Sequence, residues 1–162
     1  MDIDAWLTQF GEPVAASDLK SSAATALVTF VERYADHLAT FVEARRDEEC
    51  ELVVLDFQTG RPQKSAQPLK RVERIGVRFT DNEAMPLVYM LRADFPDTEH
   101  QQLVLEGSPR AICTDDRPWA EARLTWTPAE LVGRILSWFT RAWQGGFMTR
   151  ASLSIPYFWE AL

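Results

Sequence analysis

Thr127 stands directly before Pro128, with Glu130 three residues after the threonine, and this arrangement fixes a helix start more firmly than any other stretch of the chain. Threonine is a good N-cap, proline is preorganised for the first helical position, and a glutamate at the third position completes a capping-box pattern. Apolar residues then recur at Leu131, Val132, Ile135, Leu136, Trp138, Phe139, Ala142 and Trp143, a 3.6-residue period that predicts one wide buried face. Gly145 and Gly146 end it, as glycines do at helix C-termini. A helix with such a face needs an opposing layer, so the residues upstream must supply a sheet or further helices.

Those residues predict an α+β fold. Ile3, Trp6, Leu7 and Phe10 lie at helical spacing before Gly11, Glu12 and Pro13 interrupt them. After Ser17 and Asp18, a stripe of Leu19, Ala23, Leu27, Phe30, Val31, Tyr34, Leu38, Phe41 and Val42 predicts one long helix, ended by the charged run Arg45 to Glu49. His37 lies one step off that stripe, and an exposed or half-buried helix position suits it better than a ligand or base. From Cys50 the pattern becomes β-like: Leu52 to Phe57, Val72 to Phe79 closed by Asp81 and Asn82, Leu87 to Phe95, and Gln102 to Leu105 predict four strands. The polar stretch RPQKSAQPLK reads as a long hairpin connection. With no helical pattern between them, the strands imply an antiparallel meander.

At 162 residues the chain suits one domain, residues 1–162, with a core at about 17–146. The tail from Phe147 to Leu162, with Leu153, Ile155, Tyr157, Phe158 and Trp159, is too apolar for a solvated end; it either packs back or leads into a further domain. A net charge of −7 argues against nucleic acid as the main partner, because phosphate binding needs a basic footprint. No apolar run approaches the ~18 residues of a membrane span, and the start MDIDAW lacks the basic region of a secretory signal. A cytoplasmic protein with Cys50 and Cys113 as free thiols is expected.

The chemistry converges on Cys113, which the pattern places in a polar loop between the fourth strand and the capped helix. Lone cysteines are weak signals, but Thr114, Asp115, Asp116 and Arg117 keep this one out of the core. A protease-type thiolate would need a histidine, and the chain has only His37 and His100, with no third orienting group evident. Asp115 and Asp116 oppose thiolate formation by like charge, whereas Arg110 favours it. A restrained thiol of this kind suits exchange with an already activated acyl group. Cys50, at a strand start, reads as a buried small residue, Trp138 and Trp143 as core, and Trp119 as packing or a partner anchor. Neither ligand spacing for a metal nor a glycine-rich phosphate loop is present.

The order of helix, strands, cysteine loop and capped helix, with Phe95-Pro96, Ile112-Cys113 followed by acidic residues, and Trp126-Thr127-Pro128 opening a helix, resembles the ubiquitin-conjugating enzyme family. The segments Arg110 to Asp116 and Ile135 to Phe139 are closer to its bacterial branch. That branch includes the conjugating domain of activating-conjugating fusion proteins from cyclic-oligonucleotide antiphage operons. The resemblance implies that Cys113 carries the C-terminus of a ubiquitin-like protein, or of a target protein, as a thioester received from an activating (adenylating) enzyme or domain. It implies transfer to an amine on a target such as a cyclic-nucleotide synthase, with no cofactor in this domain. Ser108 and Arg110 would support the oxyanion, and Asp115 or Asp116 would orient or deprotonate the amine. The family's His-Pro-Asn motif is missing, with Glu106-Gly107-Ser108-Pro109 in that region. The rivals are an inactive interaction module on the same fold and a cysteine hydrolase using His100.

Overall fold

The computed structural model describes residues 1–65, 67–80 and 84–146. The apolar tail, and the Asp81-Asn82 end of the second predicted strand, lie outside the described residues. Among the described residues no helix is long and apolar enough to cross a membrane.

The chain opens with α1 (Ile3–Phe10), whose N-cap Asp2 accepts hydrogen bonds from the main-chain N–H groups of Asp4 (3.0 Å) and Ala5 (3.1 Å). Gly11 then brings the backbone so close to β2 (Ala39–Arg46) that a Cβ would stand 2.2 Å from the Arg46 carbonyl oxygen. After β1 (Glu12–Val14) and a 3-10 turn at Ala16–Asp18, Ser21 caps α2 (Ser22–Tyr34). The buried Glu51 carboxylate accepts from the Lys20 and Ser21 N–H groups, both at 2.8 Å, and pairs with Arg46. Burial pushes this carboxyl up, but those three donors outweigh it and hold it below the usual range.

Strands β2, β3 (Cys50–Gln58), β4 (Val72–Thr80), β5 (Leu87–Met90), β6 (Gln101–Gln102) and β7 (Ala111–Ile112) join β1 in one antiparallel sheet ordered β1-β2-β3-β4-β5-β7-β6. Strand β3, an inner strand of the sheet, is buried on both faces, which is why its sequence is a nearly unbroken apolar run. Val53, Leu55 and Phe57 join the main core with α2 and α4 (Pro128–Trp143), whereas Leu52 and Val54 meet Leu7, Tyr89 and Leu91 in a second cluster under α1. A single helical turn, α3 (Trp119–Ala122), precedes α4.

Four sequence expectations are corrected. The long helix from Leu19 to Val42 stops at Tyr34; Ala39–Arg46 is strand β2, and His37 lies on an exposed turn between them. A β-bulge explains the mistake: Phe41 pairs with Leu55 and Glu43 with Val54, leaving Val42 extra, so Leu38, Phe41 and Val42 fall at helical spacing. The four-stranded meander is a seven-stranded sheet. The strand expected over Leu87 to Phe95 ends at Met90, because Arg92 turns aside to grip Glu73 (2.8 and 2.9 Å) and the Pro68 carbonyl (2.9 Å). The strand expected over Gln102 to Leu105 is only Gln101–Gln102, and β7 lies between it and β5. Leu103 and Leu105 are 90% and 83% exposed, so their alternation marks no buried face.

The Glu73–Arg92 pair, 1% and 9% exposed, also holds the Arg92 guanidinium 5.3 Å from the Phe95 ring centroid, and Phe95 packs on Trp138. Removing one member of such a buried pair strands the other charge. Glu73→Ala should therefore lower the unfolding free energy by about 3–5 kcal/mol in urea titration, and a loss below about 1 kcal/mol would show the pair to be incidental.

Candidate active site

Cys113 follows β7, where two ladder pairs, Tyr89 with Ala111 and Val88 with Ile112, carry the chain out of the core. Its N–H donates to the His100 carbonyl at 2.8 Å, and the same oxygen accepts from Trp138 Nε1 at 3.1 Å. One main-chain oxygen thus ties the cysteine to α4. His100 holds a left-handed backbone conformation (φ 57°) to present it.

The thiol is half-buried, in contrast to Cys50, which is 3% exposed. Cys113 Sγ lies 3.5 Å from the Asp115 carbonyl oxygen. Burial pushes the thiol up from its ordinary value; hydrogen bonding to the Asp115 main chain and the Gln102 side chain pulls it down, and the charges of Asp116 and Asp115 push it further up. The result is the restrained thiol anticipated from the sequence.

The loop after the cysteine is fixed by charge. Asp115 accepts from the Arg117 N–H (3.1 Å), Nε (3.0 Å) and Nη2 (2.7 Å), and Arg134 Nε lies 3.5 Å from its Oδ2. Arg117 and Arg134 also bind Glu130, at 3.0 and 2.9 Å. Thr127 caps α4 by accepting from the Glu130 N–H at 3.1 Å, but the Glu130 carboxylate goes to these two arginines. Arg117 beside Asp115 is the main cause that lowers its carboxyl to about 2, so it stays ionised at any working pH.

A hollow of about 140 Å³ opens beside the thiol, lined by Cys113, Thr114 and His100 from the sheet side and by Arg134, Ser137, Trp138 and Arg141 from α4. Of the residues singled out in the sequence, Asp115 and the exposed Asp116 lie in the cysteine loop itself. Ser108, whose N–H donates to the Leu105 carbonyl at 3.0 Å, lines a different hollow with Trp6, Phe10 and Leu103. Arg110 is exposed, with Nη1 3.1 Å from Asp97 Oδ1 as an ion pair lacking hydrogen-bond alignment, and lines a third. Trp119 is half-buried and lines a small hollow with Trp126, Ala122 and Leu131. Sequence reasoning passed over Arg134, Ser137 and Arg141; their spacing along the edge of the apolar face was the available signal. Among the described residues no group of three or more His, Cys, Asp or Glu side chains could hold a metal ion.

Residues 23–149 match the family described as prokaryotic E2 family A, and the chain belongs to that family. An antiparallel sheet with helices fits that E2 assignment, which places the chain among ubiquitin-like conjugation proteins working with an activating enzyme. No curated protein and no solved structure matches the chain.

The Asp115 carboxylate has a folded value near 2, below the unfolded value of about 3.9. Its contribution is therefore fully present above about pH 4 and fades as pH falls toward 2. Asp115→Asn should lose roughly 1–2 kcal/mol at pH 7 in urea titration, and the gap to wild type should narrow below about pH 4 and close as pH falls to about 2. An unchanged gap at both pH values would contradict the clamp.

Proposed function

We propose that Cys113 accepts the C-terminus of a ubiquitin-like protein, or of a target protein, as a thioester from an activating enzyme, and passes it to an amine. The single observation that carries this proposal is a half-exposed thiol on a rigid loop, beside a hollow, in a chain of the prokaryotic E2 family. The resemblance to antiphage activating-conjugating proteins supports a setting in bacterial defence, with a cyclic-nucleotide synthase as a fitting target.

In the charging step the Cys113 sulfur attacks the acyl carbon of the activated partner, the bond to the activating enzyme's leaving group breaks, and the thiol proton departs with that group. The surroundings of Cys113 disfavour a free thiolate but place no such penalty on an uncharged thioester, so the acylated sulfur sits as comfortably there as the resting neutral thiol. The same property makes the thiolate a reluctant leaving group, which guards the thioester against water. Transfer then depends on holding an amine in place. In that step the amine nitrogen attacks, the C–S bond breaks, and the sulfur ends protonated as the amide forms.

Asp116, exposed and unburdened by the arginine clamp, is the better group to draw a lysine ammonium toward the thioester, while Asp115 acts as a positioning residue through Arg117 and Arg134. Oxyanion support from Ser108 or Arg110 requires their loop to approach Cys113, whereas Thr114 already lines the hollow.

The test is a non-reducing gel of the chain with its activating enzyme, ATP and the candidate ubiquitin-like partner. Wild type should give a shifted band that reductant removes, Cys113→Ser a reductant-resistant oxyester, and Cys113→Ala none. Equal bands in all three, or no band with the activating enzyme itself charged, would leave the interaction-module alternative standing.

A further inference from the structure

On the α1 side of the sheet, a hollow of about 560 Å³ lies between α1, strands β4 and β5 and the loop after β6. Its volume falls within the roughly 300–1,000 Å³ of ordinary small-molecule sites. Aromatic rings build one wall: the Trp6 ring centroid stands 5.2 Å from that of Tyr89 and 5.6 Å from that of Phe10. The exposed Leu103 and Leu105 line the same hollow. A lone exposed leucine needs no explanation, but two beside half-buried aromatic rings make a continuous apolar patch, which marks a binding surface.

A cation sits in this apolar setting. Arg78, half-buried on β4, donates from Nε to the Cys50 sulfur at 3.1 Å and from Nη1 to the Tyr89 hydroxyl at 3.4 Å. Neither partner is a carboxylate, whereas Arg46, Arg74, Arg92 and Arg117 each bind one. The Tyr89 hydroxyl, accepting from Arg78, keeps its own proton to give, and Ser108 adds a second hydroxyl to the lining. Asp47 is the one acid among the described residues that line the hollow. It is exposed, and its Oδ1 accepts from the main-chain N–H groups of Glu49 (2.8 Å) and Cys50 (2.6 Å), so it serves its own turn. A few polar donors converging in an apolar hollow are the usual composition of a ligand site.

We propose that this hollow binds a small aromatic carboxylate, with its ring against Trp6 and the leucines and its carboxylate received by Arg78 and the Tyr89 hydroxyl. The planar guanidinium suits a carboxylate, and a purely apolar guest would leave that cation without a partner. Asp47 disfavours a multiply charged anion such as a phosphate ester. The site is distinct from Cys113 and stands or falls apart from the thioester function.

The experiment titrates the isotope-labelled full chain with three probes of one shape: 2-naphthoate, neutral 2-naphthamide and cationic 2-naphthylmethylammonium. Binding is read by NMR at the Trp6 indole N–H resonance, identified by its loss in Trp6→Phe. Wild type should bind naphthoate saturably, with Kd on the order of 0.1–1 mM for so small a ligand. The amide should bind about fivefold more weakly and the ammonium more weakly still, with the difference shrinking in high salt. Arg78→Met should bring the three probes to similar affinity. Leu105 is exposed, so its variants keep the fold even if Arg78→Met does not: Leu105→Glu should weaken naphthoate binding and Leu105→Lys strengthen it, each about two- to threefold. Cys113→Ala should bind naphthoate as wild type does. No saturable shift at Trp6 up to about 10 mM probe, equal affinity for all three probes in wild type, a carboxylate preference surviving in Arg78→Met, or Leu105→Glu and Leu105→Lys binding alike would overturn the proposal. Loss of binding in Cys113→Ala would overturn it too, by placing the probe at the thiol.

Discussion

One carbonyl oxygen organises the site. The His100 main-chain oxygen accepts from Cys113 and from Trp138, so the end of the sheet and the face of α4 are held at a fixed separation by a shared acceptor. Presenting that oxygen requires a left-handed residue, a strain on the order of 1 kcal/mol that the two hydrogen bonds offset. The arrangement continues inward through side chains: Trp138 packs on Phe95, Phe95 lies under Arg92, and Arg92 is locked onto the buried Glu73. The position of a half-exposed thiol thus traces back to an ion pair in the sheet. Such a support holds the thiol in place through main-chain and indole hydrogen bonds.

Charge does the rest of the positioning. The Asp115, Arg117, Glu130 and Arg134 side chains close a ring between the cysteine loop and the first turns of α4. Asp115, which fixes the loop, also disfavours the thiolate by its charge, and the exposed Asp116 adds to that, so rigidity and restraint come from the same loop. Such restraint suits the proposed thioester role, in which the energy of the acyl bond would be supplied elsewhere and the thiol would only have to hold it.

The sequence was most legible where local chemistry and packing agree. Thr127, Pro128 and the apolar stripe marked α4 because its caps and buried face are encoded within sixteen residues. The unbroken apolar run of β3 was equally plain. Val42 defeated the pattern because a bulge inserts one residue and turns a strand's period of two into spacings that look helical. Leu103 and Leu105 misled for the opposite reason: they alternate like strand residues yet face solvent. Within the site, Cys113, Asp115 and Asp116 were readable because they are contiguous. Arg134, Ser137 and Arg141 were not, since their meaning depends on where α4 lies against β7, a long-range contact that no local pattern records.

The most direct measurement of the central claim is the mass of the Cys113-containing proteolytic fragment after the chain has met its activating enzyme, ATP and partner. A gain equal to the partner's C-terminal fragment less one water, lost on treatment with hydroxylamine and confined to that fragment, is the predicted result. An unmodified Cys113 fragment, or the same gain on a fragment bearing Cys50 or a lysine alone, would contradict the account.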